Sequence, residues 1–225
     1  PRVLRRAALG GLLYGVHFGA WVSSLERTSV ASSVTLVTAT PLLLALLSIA
    51  TGRDRPEPRH WLSIALAVVG LSLIGWADFS LSVDALVGDG LALVGAVAMA
   101  FYLFLVRGLG PALDVLAFGG VATAVGALSL GVVAAAAGMP LVPASTASLL
   151  WIAMAALVPQ LVGHTLLTWA LRHATPTAVG IATVGEPVGA TVLAWLWLGE
   201  PLGPRVALGC GVTLAAVLLA AVAPA

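Results

Sequence analysis

Lysine is absent, and all ten basic residues are arginines. Charged residues of both signs make up 8% of the 225-residue chain, where a soluble domain carries roughly 25%. With 60% hydrophobic residues and a mean hydropathy of +1.11, too little remains to build a solvated surface, which excludes a soluble globular protein. No basic block exists, so nucleic acid is not a partner, and a net charge of +1 selects no other. Cys210 is the single cysteine. A disulfide framework is therefore excluded, and thiols do not report the compartment. Also missing are a G-x-S-x-G elbow, a Gly-rich phosphate loop and the ligand spacing of a metal site. The polar–apolar alternation of a membrane β-barrel is missing as well.

Long apolar runs are what the sequence does contain. Eight segments emerge, at about 7–25, 29–51, 61–77, 87–106, 112–137, 147–171, 176–198 and 205–222. Each approaches the ~20 residues that a helix needs to cross a bilayer, where backbone groups must pair within the segment. The expected fold is all-α, a polytopic membrane protein of about eight transmembrane helices. Breaks between segments carry Gly and Pro punctuation, as at Gly52–Pro58, Gly108–Pro111, Gly138–Pro143 and Gly199–Pro204. Arg2, Arg5 and Arg6 ahead of the first run imitate a signal peptide. That run is too long for one and lacks a small-residue exit, so it reads as a span. With the N-terminus in the cytoplasm, Arg2, Arg5, Arg6, Arg53, Arg55, Arg59, Arg107 and Arg172 fall inside, and Arg27 and Arg205 outside. The positive-inside rule then places both termini in the cytoplasm. Gly11, Gly15 and Gly19 form a small-residue stripe suited to close helix packing.

The stretch Thr175–Leu202 holds a single mid-membrane carboxylate, Glu186, followed by Pro187. A carboxylate at the centre of such a helix costs about 2.5–3.5 kcal/mol on insertion scales and should face protein or water. The proline predicts a kink where the charge sits. Sliding the chain against itself by 146 residues sets Leu25 on Leu171, Pro41 on Pro187 and Asp54 on Glu200, while His17 and His164 miss the register by one position. The offset spans five helices, so the matched halves are inverted in the membrane, a design in which the site lies near the midplane between the halves. The first half has three spans where the second has five, which predicts two further helices ahead of Pro1.

The run GEPVGATVLAWLWLGEPLGPRVALGCGVTLAAVLL (Gly185–Leu219) resembles the closing signature of EamA-like proteins of the drug/metabolite transporter superfamily. A Pro-bearing helix there leads to an LGE turn and a Gly-containing last helix. The resemblance covers the chain as a truncated first repeat of three helices (residues 1–78) and a complete second repeat of five (86–222). The first repeat departs from the pattern with Thr40–Pro41 in place of Glu–Pro and GRD in place of LGE. The resemblance implies a ten-helix parent with cytoplasmic termini in a bacterial-type inner membrane, and a secondary transporter that exports or exchanges small organic metabolites by alternating access. The implied partners are a small metabolite and the lipid bilayer; a homodimer stays open and no cofactor is expected. A non-transporting membrane interaction protein and an intramembrane enzyme are the alternatives.

Candidate substrate-binding or coupling residues are Glu186, His164, His17, Gln160, Trp21, Trp169 and Tyr102, with Tyr14 as a further aromatic. Pro41, Pro187 and Pro159 are candidate hinges. Desolvation favours the neutral form of a buried carboxyl, which suits Glu186 either as a proton-exchanging site or as a structural protonated acid. The two histidines serve equally as a pair across a cavity or as inter-helix hydrogen-bond partners. Trp61, Trp76, Trp151, Trp195 and Trp197 lie near span ends and read as interfacial anchors. Asp89 and Asp114 read as helix caps. Substituting His17 or His164 by Phe is expected to weaken substrate affinity; unchanged affinity would remove that residue from the site.

Overall fold

The computed structural model describes residues 2–52, 57–75, 82–109, 114–199 and 201–221. Arg53, Asp54, Arg55, Trp76, Pro111 and Glu200, all named above, lie outside the described residues. The rest is helical: α1 (Arg2–Leu25), α2 (Val30–Val37), α3 (Thr40–Ala50), α4 (Pro58–Gly75), α5 (Val83–Arg107), α6 (Val115–Ala136), α7 (Thr146–Ala155), a π-helical segment (Ala156–Gly163), α8 (His164–Ala170), α9 (Pro176–Thr183), α10 (Glu186–Leu193), a second π-helical segment (Ala194–Leu198) and α11 (Pro204–Ala221). Several run together. Seven helices among the described residues are long and apolar enough to cross a membrane, with α2–α3, α7–α8 and α9–α10 each acting as one span. α1, at 24 residues, is the eighth long helix, its apolar character diluted by glycines, His17 and serines.

Local chemistry sets the ends. Ser29, Ser82, Asp114, Ser145 and Thr175 each accept a hydrogen bond from the backbone N–H three residues on, which satisfies a donor the first turn would otherwise leave unpaired. Asp114 thus caps α6 as expected. Gly52 and Gly138 stop α3 and α6 at positive φ (64° and 68°), a conformation that costs a side chain but not glycine.

The interior is built from small residues, so helices approach closely. A Cβ on Gly11 would fall 2.6 Å from Val125 Cβ, and one on Gly15 would fall 2.5 Å from Ser129 Oγ and 3.3 Å from Gly126 O. The glycine stripe of α1 is therefore its contact line with α6, while Gly95 of α5 takes the backbone of His17 on another side. α4 and α11 meet the same way: a Cβ on Gly209 would fall 2.8 Å from Gly70 O, and one on Gly70 would collide with Thr213 Oγ1. Without a hydrophobic drive between helices in lipid, such backbone approach supplies the dispersion contacts that hold them.

Polar links mark the two ends. Arg6 donates to Gly108 O and Arg107 to Leu171 O (2.9 Å), which gathers the start of α1 and the ends of α5 and α8 at one face. Arg27 pairs with Asp84 at the other. There Asp89 accepts from both Thr28 (2.8 Å) and Ser32 (2.7 Å). Asp89 is therefore not the expected cap of its own helix, being seven residues past Ser82; it clamps the start of α2 to α5.

Gly15→Val and Gly70→Val should each destabilise the fold by about 1–3 kcal/mol, as overpacking does. Gly131→Ala, where a Cβ meets open space, should not. Melting of the detergent-solubilised protein by scanning fluorimetry checks this, and three equal melting temperatures would contradict the packing assignment.

Candidate functional site

Two spans are broken in the same way. α2 ends at Val37, and the Thr38 and Ala39 N–H groups bond back to Val34 O and Leu36 O before α3 starts at Thr40–Pro41. α9 ends at Thr183, and Val184 and Gly185 bond back to Ile181 O and Ala182 O before α10 starts at Glu186–Pro187. Proline is tolerated in a first turn, where its missing N–H would have had no partner. Pro41 and Pro187 thus open half-helices rather than kink continuous ones. Pro159 sits differently, inside the π-helical segment Ala156–Gly163, where i→i+5 bonding accommodates an interrupted ladder.

Between the broken spans lies a cavity of about 280 Å³. α1 contributes His17, Phe18 and Trp21; the first broken span Val37, Thr38 and Thr40; α5 Met99; α8 His164 and Leu167; the second broken span Thr183, Glu186 and Pro187. Phe18 and His164, Trp21 and Leu167, Val37 and Thr183, and Thr40 and Glu186 are each 146 residues apart in the sequence. Phe18 and His164 stand edge to face with ring centroids 5.6 Å apart. Tyr14 and Gln160, at the same separation, share a 2.8 Å hydrogen bond.

Glu186 is not sealed in packing. Its side chain is exposed within the protein, has no hydrogen-bond partner among the described residues, and opens both to this cavity and to a groove of about 800 Å³ bounded by α8, α9 and α11. His164, Leu167 and Thr183 share that position between the two spaces. The expectation of a carboxyl buried among apolar neighbours is corrected accordingly. The break at Val184–Gly185 holds Glu186 at a wall between two spaces.

His17 is buried, with Nδ1 2.9 Å from Gly95 O. A carbonyl only accepts, so Nδ1 carries the hydrogen and, in the neutral ring, Nε2 is left as an acceptor. Its ring lies nearly parallel to Trp21, centroids 5.9 Å apart. Trp21 Nε1 and His164 Nδ1 are buried without partners among the described residues.

The geometry thus brings Glu186, His17, His164 and Trp21 to one cavity and separates the other candidates from it. Gln160 and Tyr102 border a second groove, of about 480 Å³, between α6 and the π-helical segment. Gln160 there accepts from Tyr14 and donates to Thr123 Oγ1 at 3.2 Å, and Tyr102 packs on Tyr14. Trp169 lines none of these spaces: it is half-exposed and packs on His173 at 4.4 Å. Reading the sequence missed Phe18, Thr38, Thr40 as a lining residue, Thr183 and Met99. The 146-residue register held the signal for Phe18, which aligns with His164.

An all-helical protein with membrane-length spans and a cavity at paired helix breaks belongs to the class of polytopic membrane proteins. The model of the EamA-like transporter family matches residues 1–76 and 86–222. The chain is a member of that family of membrane transporters within the drug/metabolite transporter superfamily. One solved crystal structure aligns with it at a TM-score of 0.79 over 98% of this chain and 78% of its own, at 20% identity, a likeness of fold. None of the curated proteins matches.

Gln160→Leu leaves the Tyr14 hydroxyl unpaired and should cost about 1–3 kcal/mol, most of which Tyr14→Phe in the same chain should restore. A double-mutant cycle on denaturant unfolding measures the coupling; additive losses would show that the bond contributes nothing.

Proposed function

We propose that this protein is a secondary transporter that exports or exchanges a small organic metabolite by alternating access, with the cavity between the broken spans as its substrate site. Glu186 carries the reading. An unpartnered carboxyl within a membrane span is costly unless a substrate, water or a proton uses it, and this one faces a cavity where two half-helices meet. Two inverted halves related by about 146 residues complete the proposal. Residues related by a two-fold axis meet at that axis, and the Tyr14–Gln160 and Phe18–His164 contacts support such a relation. Alternating access would then rock one half against the other about the cavity. Arginines at the face that gathers Arg6, Arg107 and Leu171 support a cytoplasmic placement of that end in a bacterial-type inner membrane.

The test is counterflow in proteoliposomes. Glu186→Gln is expected to lower flux and flatten its pH dependence. Unchanged flux with an unchanged pH profile would reject Glu186 as the coupling residue.

A further inference from the structure

Resting on the reading of this cavity as the substrate site, we infer that its ligand is a small organic cation bearing N–H donors and no carboxylate, such as a primary ammonium. The side chains that line the cavity have spent most of their hydrogen-bond donors. Thr38 donates its hydroxyl proton to Val34 O (2.7 Å) or Thr35 O (2.9 Å), Thr40 to Val37 O (2.8 Å) and Thr183 to Gly180 O (2.7 Å). Each of the three threonines can therefore offer the cavity only oxygen lone pairs. His17 gives its Nδ1 hydrogen to Gly95 O and keeps an acceptor. The N–H of Trp21 is buried, so the open part of that side chain is ring carbon.

Part of the backbone is likewise spent. At both breaks the N–H groups of Thr38, Ala39, Val184 and Gly185 are bonded within their own turns, and the prolines that follow have none to give. In its ionised form Glu186 adds two unpartnered acceptor oxygens, Met99 a thioether, and Phe18 an aromatic ring. His164, whose ring proton no bond fixes, is the lining side chain able to donate. No arginine lines the cavity among the described residues.

Such a wall is electron-rich and short of donors. An ammonium finds a carboxylate for charge, several lone pairs for its N–H groups, and the indole of Trp21, the strongest of the cation-binding rings. A carboxylate or phosphate would leave most of its lone pairs unmatched, and an unmatched polar group in a desolvated site is penalised rather than ignored. The volume of about 280 Å³ limits the ligand to a compact molecule.

The experiment uses three probes that share a phenylalkyl scaffold and differ in charged groups: 2-phenylethylammonium, phenylalanine and 3-phenylpropionate. Binding to the purified protein is followed by calorimetry. The cation should bind at least about tenfold tighter than the zwitterion or the anion, a difference near 1.4 kcal/mol. Glu186→Gln should erase that preference and Glu186→Asp should retain it. Phenylalanine binding as tightly as the ammonium, a preference that survives Glu186→Gln, or no binding of the ammonium at all would each overturn the inference. Counterflow of the same probes separates it from the transport reading. Selective binding of the ammonium without flux refutes transport and leaves the ligand class standing; flux of phenylalanine alone does the reverse.

Discussion

A polar group inside a bilayer cannot turn to water, and the structure is arranged around that constraint. Serine and threonine, abundant in a chain this poor in charge, bond back to carbonyls of their own helices or pair with one another, as Ser24 does with Ser33 and Trp21 O. Five helix starts are closed by hydroxyls and one carboxylate; an open carbonyl at the end of α8 is taken by Arg107. Some groups are left over: among the described residues Ser48 Oγ, Ser63 Oγ and Thr213 Oγ1 are buried without a partner where α3, α4 and α11 pack, while Glu186, Trp21 Nε1 and His164 Nδ1 belong to residues of one cavity. The cavity is distinguished by gathering the leftover groups that can carry charge.

Much of the fold was legible in the sequence because membrane spans announce themselves by length and apolarity, and their ends by Gly, Pro and capping residues. The segment limits read from hydropathy begin later than the helices at α4 and α5, since Pro58–His60 and Val83–Asp84 continue the helix into polar ground that an apolar count stops at. The paired prolines were visible too. What hydropathy could not supply was their local role: only the backbone bonds show that Thr38–Ala39 and Val184–Gly185 turn before the prolines begin new half-helices.

The candidate site was legible in part. Glu186 stood out because a carboxylate is expensive in that setting, and His17, His164 and Trp21 because polar and aromatic residues are sparse at mid-span. Trp169 shared those credentials and yet faces outward, since a residue five positions from His164 points to a different side of the helix. Gln160 was singled out for its polarity, and its bonds to Tyr14 and Thr123 turn it toward another groove. The threonines carried no signal of their own; the direction of a hydroxyl proton is set by neighbouring carbonyls and cannot be read from residue type. His17 and His164 miss the 146-residue register by one position, and the register pairs His164 with Phe18 instead, a ring against a ring.

The clamp at Asp89 has a mechanical meaning. By holding Thr28 and Ser32 together, with Ser24 bonded to Ser33 close by, it fuses the end of α1, the start of α2 and the first turns of α5 into a single rigid block. Beyond that block, α3 is joined to α2 through a two-residue turn. Torque applied to α3 therefore concentrates at Thr38–Ala39, and Thr38 is cavity wall, so that bending the span and reshaping the space within it are one motion.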